Sequence, residues 1–587
     1  MFNNSIVSKL AIIFFFFVLL ALPIDGKQHQ HVNRPNIVIL FADNLAYDDV
    51  GAFQTTSGNN NNTSKSRTPR TDELASQGLK LLHWNSPAVL CSASRAALMT
   101  GKYPVRTGVY PRVFEPDAQH GLLANETTLA DYLKEEGYAT KLVGKWHLGS
   151  RPGYLPTDRG FDEWFGIPYH MSGGSLDNHV CGKEKDPNGT MWLPLFDGHD
   201  IVEQPVDLSN LAPRYVKEAK EFILEHAEEP FFLYMAFSHV HQLCAPRFAE
   251  CQWASSHFSR DGAFTADYGG AVEEMDWILG GIIDALDEGG VSDETLVIFT
   301  SDNGPWTAEQ SCAGSKGPFK GTWLQENVSA DCTACPSEYK PSPLPGNKRR
   351  CIYPGTDYEV NGVPCGEDSG LGSAWEANVR MPAIVRWKGG GVPVGETSDE
   401  MVCTLDVLPT VLSIIGKEIP PGSEVDGVDV SDIFLGQKPH AMNDDEDKRS
   451  ERPIFFWRDG FKSGPLPAPF GRFDVVAMKI NWYKLWFWTK SSHYNYDEEV
   501  FHDPPLIFDV LNDPAEAHAL NPNEFAELIS QARNLLEAHK SSVEWTKPLT
   551  LARDPTYLPC ANSENGCRTH SPPLVRTDMN QAEESLM

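Results

Sequence analysis

Positive charge is scarce in this chain. Its 587 residues carry 49 Lys and Arg against 80 Asp and Glu, a formal net charge of −31. Such a field repels nucleic acid and anionic membrane surfaces, so neither is expected as a partner. An anionic ligand would need a local cationic pocket. Long apolar runs are also scarce. One stands behind Lys9, "LAIIFFFFVLLALPI" at 10–24. It is shorter than the roughly 20 residues a membrane span needs. With a basic residue before it and small or polar residues after it, the run reads as a signal peptide over 1–26, cleaved near Gly26. No second run follows, so no membrane span is expected after cleavage. The expected route is the secretory pathway, ending outside the cell or in the lysosome. Sequons at Asn61, Asn62, Asn125, Asn188 and Asn327 fit that route as glycosylation acceptors.

The paired-CxxC spacing of zinc sites is missing too. Cys332, Cys335, Cys351 and Cys365 are separated by 2, 15 and 13 residues, which favours disulfides over zinc. Twelve cysteines in an oxidising compartment should mostly pair, with Cys244–Cys251 and Cys560–Cys567 as local bridges. Setting Cys91 aside leaves an odd number, so either a second thiol is free or Cys91 is paired.

What is present is globular: 41% hydrophobic and 22% charged residues, in a chain long enough for a large domain and a smaller one. "NIVILF" (36–41), "ATKLV" (139–143), "PFFLYMAF" (230–237) and "ETLVIFT" (294–300) are short, nearly continuous apolar runs. Strands buried on both faces look like this. Helical patterns lie between them, such as "TTLADYLKEEG" with Thr128 as N-cap and Gly137 as stop. Two longer patterns, at 212–229 and 266–290, carry helix-period apolar faces. The alternation predicts an α/β domain with a large, mainly parallel sheet between helices, over 34–448. Residues 304–372, rich in Gly, Pro and Cys, read as a surface insertion stapled by its own disulfides. After the charged stretch "MNDDEDKRSERP", the runs "DVVAMKI" and "YKLWFWT" and the helix "EFAELISQARNLLEAHK" predict a smaller α+β domain over 449–587.

Each of the four runs is followed by a polar cluster: "ADN", "GKWH", "SHVH" and "SDN". Ligands of α/β sheets bind at that edge, so the four clusters are expected to meet. Asp43 with Asn44, and Asp302 with Asn303, are hard oxygen donors suited to Ca²⁺ or Mg²⁺. Either pair alone would read as a turn cap; two at equivalent strand ends favour a metal. Lys145, His147 and His241 add cationic and acid–base groups, and Cys91 stands four residues before Arg95 at the start of a predicted helix. Such a set is built for a tetrahedral oxyanion ester.

These residues carry a family likeness. "CSASRAALMTGKYPVRTG" resembles the first signature of the type I sulfatases, and "GYATKLVGKWHLG" their second. "NIVILFADN", "TPRTDELASQGLKL", "FSHVHQ", "VIFTSDNG" and "WEANVRMPAIVRW" follow in the family's order, and "HDPPLIFDVLNDPAE" resembles its C-terminal region. The arylsulfatase and N-acetylgalactosamine-sulfatase group is the most similar. The resemblance implies an alkaline-phosphatase-like α/β domain followed by a small antiparallel sheet with a helix. It implies that Cys91 is oxidised by a formylglycine-generating enzyme and that the hydrated aldehyde attacks sulfur. Asp43, Asn44, Asp302 and Asn303 would hold the metal, Ca²⁺ or else Mg²⁺. Arg95 and Lys145 would steady the diol and sulfate oxygens, His241 would protonate the leaving alcohol, and His147 would help expel sulfate. The substrate would be a sulfated carbohydrate or an aryl sulfate.

The chain departs from the family pattern in places. Asn44 replaces a second aspartate, Leu371 stands where the family has a lysine, and "WEGG" reads "WEAN". Ala93 stands where proline is commoner, and His170 where a small polar group is common. Two other readings stay open on sequence alone. One is a phosphodiester or phosphonate monoester hydrolase of the same superfamily, the other a non-catalytic relative that binds sulfated glycans.

Overall fold

Strand β1 (Asn36–Ala42) shows why the apolar runs are continuous. Alternate residues enter different cores: Val38 and Leu40 lie in one, and Ile37, Ile39 and Phe41 in the other. A strand with no solvent face has no alternating polar positions, and Asn36 at its start is buried with its side chain hydrogen-bonded. The structure, a computed structural model, describes residues 34–54, 67–171, 193–204, 206–241, 268–307, 313–328, 333–335, 340–341, 350–352, 359–364, 366, 369–437, 452–458, 472–491 and 499–560. The signal peptide and the sequons at Asn61, Asn62 and Asn188 lie outside these residues, as do Cys244, Cys251, Cys332, Cys365 and Cys567.

The other strands of the main domain are β2 (Leu79–Asn85), β3 (Ala139–Gly144), β4 (Glu163–Gly166), β5 (Leu195–Asp197), β6 (Asp200–Glu203), β7 (Phe231–Ala236) and β8 (Thr295–Ser301). After the short strands β9 (Thr333–Ala334), β10 (Lys340–Pro341), β11 (Arg350–Ile352), β12 (Glu359–Asn361) and β13 (Val363–Pro364) come β14 (Arg380–Arg386) and β15 (Glu396–Cys403). The main sheet has ten strands in the order β15-β2-β14-β8-β1-β7-β3-β4-β5-β6. Its centre, β8-β1-β7-β3-β4, is parallel throughout, and β14, β5 and β6 pair antiparallel.

Helices Leu211–Glu225 and Tyr268–Glu288 cover one face and helices Cys91–Thr100, Leu129–Glu135 and Val407–Ile414 the other. Thr128 caps its helix as expected, accepting from Asp131 N while Asp131 reaches back to Thr128 N. No helix among the described residues is long and apolar enough to cross a membrane.

Strands β16 (Ile454–Arg458), β17 (Asp474–Ile480), β18 (Tyr483–Lys490) and β19 (Glu499–Asp509) form a separate antiparallel sheet, followed by helix Ala526–Ser542. Residues Pro35–Met587 make one compact unit. A third core explains this: Val89, Leu90 and Ala97, beside and within the Cys91–Thr100 helix, pack with Trp457, Val476 and Trp486 of the small sheet and with Ile529 of its helix.

The insertion is less superficial than its composition implies. Phe319 meets Tyr47 edge-on at 4.8 Å, and Leu324 and Leu371 enter the third core. It does carry a bridge, Cys335–Cys351. Cys560 is also disulfide-bonded, while among the described residues Cys91 and Cys403 are free and buried, so of the two alternatives it is the second free thiol that is found.

Candidate active site

The backbone ladder runs one residue past each central strand. Asp43 N donates to His239 O (2.8 Å), Asp302 N to Ala42 O (3.1 Å) and Lys145 N to Ala236 O (2.8 Å). Side chains from four strand ends are thereby held at one edge. Two positions there are left-handed without being glycine, Asn44 (φ 59°) and His147 (φ 62°). Asn44 N donates to Asp302 Oδ1 at 3.1 Å and His147 N to Pro168 O at 3.0 Å, which holds these uncommon conformations in place.

Cys91 is the first residue of its helix, and all ten helix residues are buried. Its Sγ lies 3.5 Å from Asp43 Oδ1 and 3.6 Å from Asn44 Oδ1. Burial, and then Asp302, push the thiol well above its ordinary range despite Lys145 and Arg95. One turn on, the Arg95 side chain crosses the edge. Nε and Nη2 donate to Asp302 Oδ2 (3.2 and 2.9 Å), and Nη1 donates to Lys145 O (3.0 Å). Lys145 Nζ donates to Asp43 Oδ2 at 2.6 Å. The helix stops at Gly101, left-handed with its N–H on Ala97 O.

The oxygen donors suit a hard divalent cation. Ligating atoms of Asp43, Cys91 and Asp302 lie within 4.8 Å of one another. Asn303 Nδ2 donates to Asn44 Oδ1 at 2.6 Å, and its buried Oδ1 has no hydrogen-bond partner. An orphaned amide oxygen on the residue next to Asp302 is what a cation would complete. Burial and the neighbouring Asp43 raise the Asp302 carboxyl to about 6, against Arg95 and Lys145. Two carboxylates face two cations here, so a divalent ion would leave the pocket positive inside an acidic molecule.

His147 Nε2 lies 3.1 Å from Phe114 O, so this nitrogen carries the proton. Its Nδ1 is then a bare acceptor, buried and without a partner. Burial, and then Lys145, hold the ring well below the usual histidine range. His241 is buried and stacks on His170 at 4.8 Å with 9° between planes. His170 also meets His147 edge-on at 5.4 Å. The array of three imidazoles is not legible in the sequence, where His170 stands out only as a departure from the family pattern. The other histidine of "SHVH", His239, turns away to Glu274 at 3.3 Å. Leu371 is buried in the third core with Val89, Leu90 and Trp375, while Lys320 is exposed. All nine site residues expected from the sequence therefore lie at this edge.

The profile of the Sulfatase family matches residues 35–417, and that of the C-terminal region of aryl-sulfatase matches 449–569. Arylsulfatase G of Rattus norvegicus is 31% identical over 560 residues, covering 90% of this chain and 91% of that protein. Arylsulfatase A of Homo sapiens is 31% identical over 506 residues, with 83% of each covered. Among solved structures, the sulfatase PsFucS1 from Pseudoalteromonas sp. shares the alkaline-phosphatase-like fold, with a TM-score of 0.62 at 24% identity, covering 86% of this chain and 90% of its own. With the family profile over most of its length and relatives that cover 83% and 90% of it, the chain belongs to the sulfatase family and is a sulfuric ester hydrolase of arylsulfatase type.

Proposed function

We propose that this sulfatase cleaves sulfate monoesters of a carbohydrate or aryl alcohol, using a formylglycine made from Cys91 and a bound Ca²⁺. One observation carries the reading: Cys91 Sγ, two carboxylates, two amides and two cations converge from four chain segments within one buried edge. Sulfatases generally use both groups: the hydrated aldehyde supplies a hydroxyl nucleophile, and the cation draws negative charge from sulfate and lowers that hydroxyl's pKa. Asp43, Asn44, Asp302 and Asn303 would hold the ion; Mg²⁺ is the other hard cation this set accepts.

The remaining work falls to side chains. Arg95, fastened to Asp302 and Lys145 O, keeps a fixed positive charge beside residue 91. Lys145 orients the sulfate oxygens from its place on Asp43. His147 Nδ1, its lone pair directed by the Nε2–H bond to Phe114, would accept the proton of the second hydroxyl on the hydrated residue 91 as sulfate leaves and the aldehyde re-forms. His241 delivers a proton to the departing alcohol. The exposed sequons Asn125 and Asn327 suit passage through the secretory pathway, with a lysosomal or extracellular destination and the formylglycine-generating enzyme met on the way.

The test is mass spectrometry of the tryptic peptide "LLHWNSPAVLCSASR", from protein made in a host with the modifying enzyme, together with rates on matched aryl sulfate and phosphate esters. An aldehyde at residue 91 and preference for sulfate are expected. Preference for phosphate would make the chain a phosphodiester or phosphonate hydrolase; an intact thiol and no turnover would favour the non-catalytic glycan binder. A further result is expected at Asn44. Asn44→Asp adds a third carboxylate to the ion's surroundings and should tighten Ca²⁺ binding by about tenfold or more. Unchanged affinity by calorimetry would remove Asn44 from the site.

A further inference from the structure

The geometry points to Asn378 as a positioning residue that ties the metal-side loop to the loop carrying Cys91. This rests on the proposed metal site. Asn378 lies in the short helix Glu376–Val379, is fully buried, and stands where the resembled motif has glycine. Its side chain makes three bonds. Oδ1 accepts from Gly304 N (3.1 Å), while Nδ2 donates to Val89 O (3.1 Å) and Ser373 O (2.7 Å). Its backbone carbonyl takes Gly304 N as well, at 2.9 Å.

Those partners are adjacent to the reacting groups. Gly304 O accepts from Asn303 Nδ2 at 3.0 Å, so the orientation of the Asn303 amide, and of its orphaned Oδ1, follows from where Gly304 is held. Gly304 approaches so closely that a Cβ there would collide with Ala377 O. On the other side, Val89 precedes Cys91 by two residues, and its carbonyl also receives Gly372 N at 3.0 Å. The amide of Asn378 thus fixes the spacing between Asn303 and residue 91. Ser86 makes a parallel tie: its Oγ donates to Asp302 O (2.8 Å) and meets Ser94 Oγ at 2.9 Å. Outer groups that orient ligands typically change metal affinity or activity by about 10–100-fold when removed.

The experiment uses full-length enzyme carrying Asn378→Ala or Asn378→Asp, with Leu412→Ala as a destabilised control from the core under helix Val407–Ile414. Ca²⁺ and Mg²⁺ are titrated calorimetrically below each protein's melting temperature. kcat and KM on an aryl sulfate are normalised to the aldehyde content at residue 91. Asn378→Ala should weaken Ca²⁺ by about tenfold or more and lower kcat further than it changes KM. Asn378→Asp keeps the acceptor for Gly304 N–H but loses both donors, so a loss there as well assigns the effect to the Nδ2 bonds to Val89 O and Ser373 O rather than to the bond from Gly304. Leu412→Ala should lower Tm and leave Ca²⁺ affinity unchanged. Asn378 variants that bind Ca²⁺ and turn over like wild type overturn the inference; should the alanine form not fold, the near-isosteric aspartate form decides alone. A wild-type enzyme that binds neither cation overturns the metal reading instead, and this inference with it.

Discussion

Cys91→Ala is expected to abolish turnover, lowering kcat by about a thousandfold or more, while the protein stays folded. Every other group at the edge would still bind and polarise a sulfate ester, but no side chain would remain in place to attack sulfur. Cys91 Sγ lies 3.5 Å from Asp43 and 3.6 Å from Asn44, and the closer contacts there, from Lys145 Nζ and Asn303 Nδ2, are hydrogen-bond donors rather than nucleophiles. The structural cost is small. The residue begins a helix whose other nine positions are untouched, and alanine is a better helix former. A loss of about 1 kcal/mol is the ordinary result of such a change. Rates on an aryl sulfate, with melting curves and Ca²⁺ titration, check it. Residual turnover near wild type would sink the covalent route.

Glu376→Leu should have the largest effect on stability, about 3–5 kcal/mol, because it leaves buried charge uncompensated. Glu376 Oε2 accepts from Lys479 Nζ at 2.7 Å and Oε1 from Lys484 Nζ at 2.9 Å. Lys484 also meets Glu516 at 3.3 Å, and Lys479 donates to Asn85 Oδ1 at 2.6 Å. Glu516 in turn accepts from Trp486 Nε1 (3.0 Å) and Glu376 N (2.8 Å). Both ammonium groups and both carboxylates are buried. The cluster joins β17 and β18 of the small sheet to the "WEAN" segment, so its loss should loosen that docking first.

A double variant, Glu376→Leu with Lys479→Met, should recover part of the loss, since it removes one of the stranded charges. Burial alone would raise the Glu376 carboxyl, but Lys479, Lys484 and Arg380 hold it far below the usual range. Its contribution is therefore complete above the unfolded value of about 4.3 and fades as pH falls toward the folded one. Melting temperatures measured from about pH 3 to about pH 7 should show a shallower acid limb for Glu376→Gln. An unchanged limb would mean that Glu376 is not what the acid limb reports.

Much of the site could be read from the chain because strand and ligand are neighbours in sequence. With one residue between, "NIVILF" is followed by Asp43, "ATKLV" by Lys145 and "ETLVIFT" by Asp302. A parallel sheet then brings those ends together without further instruction. The capped helix at 129–135 and the strands at 474–480 and 483–490 were legible for the same reason: their signals are local. The insertion misled because Gly and Pro density describes backbone, whereas Phe319 and Leu371 are drawn inward by cores built from distant segments.

What the sequence determined by itself was the inventory: one run fit for a signal peptide, an α/β order of elements, two acid–amide pairs, and Cys91 with Arg95 one helical turn away. Tertiary structure alone decided how those groups are held. Asn378 finds Val89 across 289 positions, Lys479 finds Glu376 across 103, and His170 comes to stack on His241. Periodicity and capping record only neighbours along the chain, within a turn or a strand. A hydrogen bond between distant segments exists only once sheet order and packing have fixed their distance, and no local pattern carries that distance.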